Sequence, residues 1–142
     1  MANSEEKIRE FVRASGSDAI PRMARMLLVD KSITDINIKD SGGYTALYYQ
    51  AGYGTTGTVA WLLTQDPPAY IGIRGPMQWT PLMAAAYSDT DPEGKVRLLI
   101  EYGANRDLVD KYGMTALSYA REFNKPAAVI DLLENYRPDV SR

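Results

Sequence analysis

Two stretches of this 142-residue chain carry residue types that could do chemistry. The first, Gly52-Tyr53-Gly54-Thr55-Thr56-Gly57, has the glycine spacing of a dinucleotide-binding loop. That loop needs a strand before it, a helix after it and an acid about 20 residues on. The stretch from Ile71 to Trp79 contains no acid. The second, Asp89, Asp91, Glu93 and Gly94, mimics the first half of a calcium-binding loop, but Ile100 stands at the twelfth position, where a bidentate Glu is required. Asp91-Pro92-Glu93 reads better as a helix start: a capping acid, a proline where no N–H is needed, and an acid favoured by the helix dipole. The chain has no histidine and no cysteine. The commonest general base, the commonest metal ligand and every thiolate are therefore missing. No catalytic residue, cofactor or metal site is expected.

The elements that would position such residues follow a fixed interval. Gln78-Trp79-Thr80-Pro81-Leu82-Met83-Ala84-Ala85-Ala86 has weaker copies at Gly43-Tyr44-Thr45-Ala46-Leu47 and Gly113-Met114-Thr115-Ala116-Leu117. The threonines fall at 45, 80 and 115, so the period is 35 residues (80 − 45 = 115 − 80). Thr80 caps a helix, Pro81 suits its first position, and Leu82, Ala85 and Ala86 form an inward face at i, i+3, i+4. Gly43 and Gly113 precede the cap where a tight turn needs φ > 0.

This pattern resembles the ankyrin-repeat family, whose unit runs about 33 residues around a T-P-L-H-x-A signature. Gly103-Ala104-Asn105, Asp40-Ser41-Gly42-Gly43 and Asp110-Lys111-Tyr112-Gly113 match further parts of its unit. The resemblance spans roughly residues 37 to 140. It implies an all-α solenoid of about four helix-turn-helix repeats with short β-turn fingers, forming one domain over 1–142. Repeat 2 is expected at 37–71 and repeat 3 at 72–106. Residues 3–36 lack the threonine signature but show helical spacing at Ile8, Phe11 and Val12, and again at Ile20, Met23, Ala24, Leu27 and Leu28, with Asp18 placed to cap the second helix. They are expected to be a diverged N-terminal capping repeat. Residues 107–140 are expected to be the C-terminal capping repeat, with Asp131 in a slot that is usually apolar and no finger after Asp139-Val140.

Three departures bear on geometry. Gln50 fills the small buried slot held elsewhere by Ala85 and Ala120, and is expected to bond a neighbouring finger's backbone. In the middle finger Gly75 stands in the Asp slot and Gln78 in the Gly slot, which predicts a different turn with Gln78 at φ > 0.

Composition bounds the function. A net charge of −2 with no Lys/Arg cluster argues against nucleic acid. No apolar run approaches the roughly 18 residues of a membrane span, and the first seven residues have no signal-peptide core, so a soluble cytoplasmic protein is expected. The chain has ten tyrosines and two tryptophans. The resemblance places Tyr44, Met77, Trp79, Tyr112 and Met114 on the finger side of a concave groove, and Tyr53, Tyr87 and Phe123 at the ends of first helices. These types are enriched at protein interfaces. The expected function is therefore non-catalytic binding of another protein in the groove, with Trp79 the foremost anchor and the free chain a monomer. A second copy of the chain is the other candidate occupant. The competing expectation is a small-molecule- or calcium-binding protein or an enzyme using the Gly52–Gly57 turn or the Asp89–Glu93 loop.

Overall fold

The computed structural model describes residues 4–138; position 3 and the Asp139-Val140 end of the last expected unit lie outside the described residues. Helices α1 (Ser4–Val12), α2 (Ala19–Ala24), α3 (Ala46–Tyr53), α4 (Thr56–Leu63), α5 (Pro81–Tyr87), α6 (Pro92–Glu101), α7 (Ala116–Glu122) and α8 (Ala127–Asn135) follow in order, with no strand among the described residues. In chain order they fall into four pairs, α1/α2, α3/α4, α5/α6 and α7/α8, the last three of which pack helix on helix. First helices stack on first helices, α1 on α3, α3 on α5 and α5 on α7, while α4 packs on α6 and α6 on α8. The core runs between these two rows, through Phe11, Met23, Leu47, Leu62, Leu82, Leu99 and Val129.

Each signature threonine starts its helix by accepting a hydrogen bond from the backbone three residues on: Thr45 from Tyr48 N, Thr80 from Met83 N and Thr115 from Ser118 N. That satisfies one N–H that the first turn would otherwise leave bare. Asp91 caps α6 by the same logic, accepting from Gly94 N at 3.1 Å. Asp18 does not. It stands at the N-cap of α2, but its side chain makes no capping bond and instead accepts from Arg22 Nη2 at 2.6 Å. A guanidinium one turn away offers a charge-assisted bond in place of a backbone one.

The second helix of the first pair differs from its apolar spacing. After Ala24 the chain continues as a π-turn, Arg25–Val29, closed by Asp30 N to Arg25 O at 2.8 Å. The wider turn shifts the inward face by about one residue. Met26 therefore joins Met23 in the core, and Leu28, expected inside, is 55% exposed.

Between pairs, three fingers repeat the same backbone pattern. Asp40 N donates to Tyr44 O, Gly75 N to Trp79 O and Asp110 N to Met114 O. The turns close with Gly43 N to Asp40 O, Gln78 N to Gly75 O and Gly113 N to Asp110 O. In the outer fingers only the glycine is left-handed, with φ of 86° at Gly43 and 79° at Gly113. In the middle finger Gln78 has φ 62°, as its slot predicts, and Met77 joins it at φ 60°.

Candidate functional site

Aromatic side chains gather on the face formed by the fingers and the first helices, in two groups. Within the first, Tyr44 lies 5.4 Å from Tyr48 and 6.1 Å from Tyr49, and Tyr49 lies 5.0 Å from Tyr53, centroid to centroid. Within the second, Trp79 lies 4.8 Å from Tyr119 and 5.6 Å from Tyr87, and Tyr87 meets Phe123 edge-on at 5.1 Å. Separations of this size are those of favourable aromatic pairs. An open pocket of about 210 Å³ lies where the groups face each other, with Tyr44, Tyr48 and Tyr53 on one side, Trp79 and Tyr87 on the other, and Ser88, Asp89 and Thr90 at its edge.

The eight residues singled out from the sequence are thus divided by the fold. Tyr44, Tyr53, Trp79 and Tyr87 line the pocket. Phe123, 47% exposed, extends the aromatic surface beyond Tyr87. Met77, Tyr112 and Met114 lie on fingers away from the pocket; Met77 and Tyr112 are exposed, and Met114 is half-buried. Trp79 has a second role that spacing did not reveal. Its indole N–H donates to Asp110 Oδ2 at 3.1 Å, and the ring is half-buried against Tyr119. It is a strut between the middle and last fingers as well as part of the lining.

Asp110 is the hub of that strut. Its Oδ1 accepts from the backbone N–H groups of Tyr112 and Met114, and its Oδ2 from Trp79 and from the Tyr119 hydroxyl. Burial alone would raise the carboxyl's pKa. The bonds from Tyr119, Met114, Tyr112 and Trp79 outweigh it and hold the group below the ordinary carboxylate value. Tyr119 is pushed up in turn, by burial first and then by that same hydrogen bond.

Sequence reasoning missed Tyr48 and Lys95. Tyr48 is 7% exposed, and its ring fills the space that a side chain at residue 75 would need. Burial, then the neighbouring Tyr44 and Tyr53, push its hydroxyl pKa up. Lys95 is fully buried. Its ammonium donates to Gly54 O at 2.9 Å and Ser88 Oγ at 3.0 Å, and Ser88 Oγ donates to Gly52 O at 2.6 Å. The end of α3 is thereby tied to the loop after α5. Desolvation lowers the Lys95 pKa to about 8, against an opposing pull from Asp91. A long charged side chain among the Val96, Leu99 and Ile100 positions of an amphipathic helix gave no signal of this.

Gln50 is buried, as its slot requires, but its partner is not a finger. Its Nε2 donates to Val12 O at 3.1 Å and Ala14 O at 2.8 Å, at the end of α1 and just after it. The reason is geometric: α1 packs on α3, so its last carbonyls, which lack helical partners, face this amide.

The two stretches with chemical potential are occupied by structural work. Gly52 lies inside α3 and Gly57 inside α4, so the glycines flank a helix-to-helix turn with no preceding strand. Asp91 Oδ1 caps α6 while Oδ2 accepts from Thr56 at 2.5 Å, and these bonds lower its pKa. Asp89 faces Lys125 at 3.4 Å. Among the described residues no group of three or more acidic side chains converges on one point.

Comparison with known proteins bears on the fold. A family profile described as ankyrin repeats (3 copies) matches residues 68–142. No curated protein sequence is significantly similar to the chain. The matched part holds two of the three helices capped by the signature threonines and the last two fingers, and the third set, at 40–53, repeats their capping and turn bonds. The chain belongs to the ankyrin-repeat family.

Proposed function

We propose that this chain is a non-catalytic module that binds another protein along the face of its fingers and first helices. Ankyrin repeats are in general protein–protein interaction modules. The observation that carries the reading to this face is the set of large side chains left open at the ends of α3, α5 and α7: Tyr53 is 68% exposed, Tyr87 41% and Phe123 47%. Aromatic residues held on a rigid scaffold lose little entropy on binding and are the commonest energetic anchors of interfaces. Tyr44, Met77, Trp79, Tyr112 and Met114 on the fingers would flank them. In this reading the first and last helix pairs, within 3–36 and 107–140, act as caps around the units at 37–71 and 72–106. The free chain is a cytoplasmic monomer, with no helix among the described residues long and apolar enough to cross a membrane.

The test is affinity capture from the source cells with three baits: the parent chain, a Tyr53→Ser/Tyr87→Ser/Phe123→Ser variant, and a control variant, Leu28→Ser/Val29→Ser, altered at exposed residues of the π-turn. A partner bound by the parent and control but lost by the groove variant supports the reading, provided circular dichroism shows all three folded. Loss with the control alone moves the site to the other face.

A further inference from the structure

The pocket between the two aromatic groups offers a particular kind of surface. Its walls are the faces and edges of Tyr44, Tyr48, Tyr53, Trp79 and Tyr87, and among the described residues that line it Asp89 alone is charged. The Asp89 side chain is 99% exposed. Its contact with Lys125, at 3.4 Å, is long against the roughly 2.7–2.9 Å of a charge-assisted bond. Ser88, beside it at the edge, is spent: its Oγ donates to Gly52 O and accepts from Lys95 and from Thr90 N. The Lys95 ammonium lies behind Ser88, wholly buried, with its bonds made to Gly54 O and Ser88 Oγ.

The chain's own cations already use these rings. Lys125 Nζ sits 4.8 Å from the Tyr87 centroid while facing Asp89. At the other end Arg13 Cζ lies 5.0 Å from the Tyr44 centroid and 5.3 Å from that of Tyr49. Attraction of a cation to an electron-rich ring face adds to the Asp40 ion pair in placing Arg13 and to the Asp89 contact in placing Lys125, and it strengthens where water is displaced. Size narrows the occupant. At about 210 Å³ the pocket is smaller than the roughly 300–1,000 Å³ that takes a drug-sized molecule, which suits a single inserted side chain.

We infer that this pocket receives the side-chain ammonium of a lysine presented by the partner protein, with Tyr53, Trp79 and Tyr87 around the cation and Asp89 accepting its N–H. This rests on the reading of the groove as the protein-binding face. It adds which chemistry the partner brings to it.

The experiment is an NMR titration of the ¹⁵N-labelled chain with three capped alanine-based peptides, identical except for a central lysine, acetyl-lysine or glutamate. The lysine peptide should shift the Tyr53, Tyr87, Asp89 and Thr90 amides saturably and bind about fivefold or more tightly than its acetylated form, the ratio a cation over aromatic faces provides. Asp89→Asn, at a fully solvated side chain, should keep the fold and remove most of that preference. Equal binding of the acetylated peptide, tighter binding of the glutamate peptide, an unchanged preference in Asp89→Asn, or no saturable binding of any of the three overturns the inference. The two readings fail separately. Partner capture lost in the groove triple variant with no lysine preference sinks the inference alone, whereas capture that survives the triple variant sinks the groove reading and this inference with it.

Discussion

The outer fingers and the middle finger close the same pair of backbone bonds by opposite means. At 40–44 and 110–114 a buried carboxylate sits inside the loop: Asp40 Oδ1 accepts from Gly42 N and Tyr44 N, and Asp110 Oδ1 from Tyr112 N and Met114 N. The remaining oxygen then recruits a neighbour, Arg13 for Asp40 and Trp79 with Tyr119 for Asp110. At 75–79 there is no carboxylate. A Cβ on Gly75 would come within 2.5 Å of the Tyr48 ring, so the slot is empty of side chain because an aromatic ring from the unit before occupies it. Support arrives from outside instead. Arg74 donates to Gln78 O and Val109 O, and Lys111 N donates to Met77 O. The difference teaches that a finger is specified either by its own acid or by the neighbours that surround it. The second arrangement tolerates two non-glycine residues at φ > 0, each carrying a cost of roughly 1 kcal/mol.

If that distinction is right, the largest loss comes from Asp110→Ala. It leaves two backbone donors, the indole N–H and the Tyr119 hydroxyl without their acceptor, and about 3 kcal/mol or more should vanish from the denaturant-unfolding free energy. A loss under about 1 kcal/mol would mean water replaces the carboxylate freely and the inside-held finger is no firmer than the other.

Gly75→Ala is the matching strike at the middle finger. The added methyl must displace the Tyr48 ring, so a cost of about 1–3 kcal/mol is expected from overpacking. Tyr48→Leu in the same chain should recover part of it, since the shorter side chain vacates the slot. No recovery would place the strain in the backbone and not in the ring contact.

Acid separates the fingers without mutation at the middle one. The Asp110 carboxyl titrates below its unfolded value, so its contribution is fully present above about pH 4 and is lost as pH falls through the lower folded value. Unfolding of the parent and of Asp110→Asn, measured from pH 6 down to pH 2, should therefore converge at the acid end. A gap that stays constant with pH would show that Asp110 acts by shape alone.

The smallest effect is at Gln78. With φ at 62°, glycine relieves strain there, and Gln78→Gly should be neutral or stabilising by up to about 1 kcal/mol. Destabilisation of that size would show that Arg74 and Lys111 leave no strain to relieve.

Much of this was legible in the sequence because it depends on residues three to five apart. Thr45, Thr80 and Thr115 cap from within one turn, and the left-handed glycines and Gln78 follow from finger position. Features set by distant neighbours were not. Gln50 announced its burial, but its acceptors, 36 and 38 residues away, depend on how α1 lies against α3. Leu28 kept a helical spacing that the π-turn then rotated outward. Trp79 could be placed on its finger by register, yet its bond to Asp110 spans 31 residues, from one finger to the next. Of the residues that line the pocket, Tyr44, Tyr53, Trp79 and Tyr87 were singled out by their type and position, whereas Tyr48 was not, because a tyrosine at the third position of a helix looks like ordinary core.

Repeat proteins are often treated as chains of interchangeable parts, and the Gln50 amide limits that here. It bonds Val12 O and Ala14 O on one side, and its side-chain oxygen lies where any Cβ at residue 54 would collide. An alanine in that slot would accept any preceding unit. A glutamine accepts one that offers two bare carbonyls at those places. The second unit therefore carries a key cut for the first: shortening the array at its front, or grafting on a standard capping unit, would strand the amide unless position 50 were rewritten at the same time.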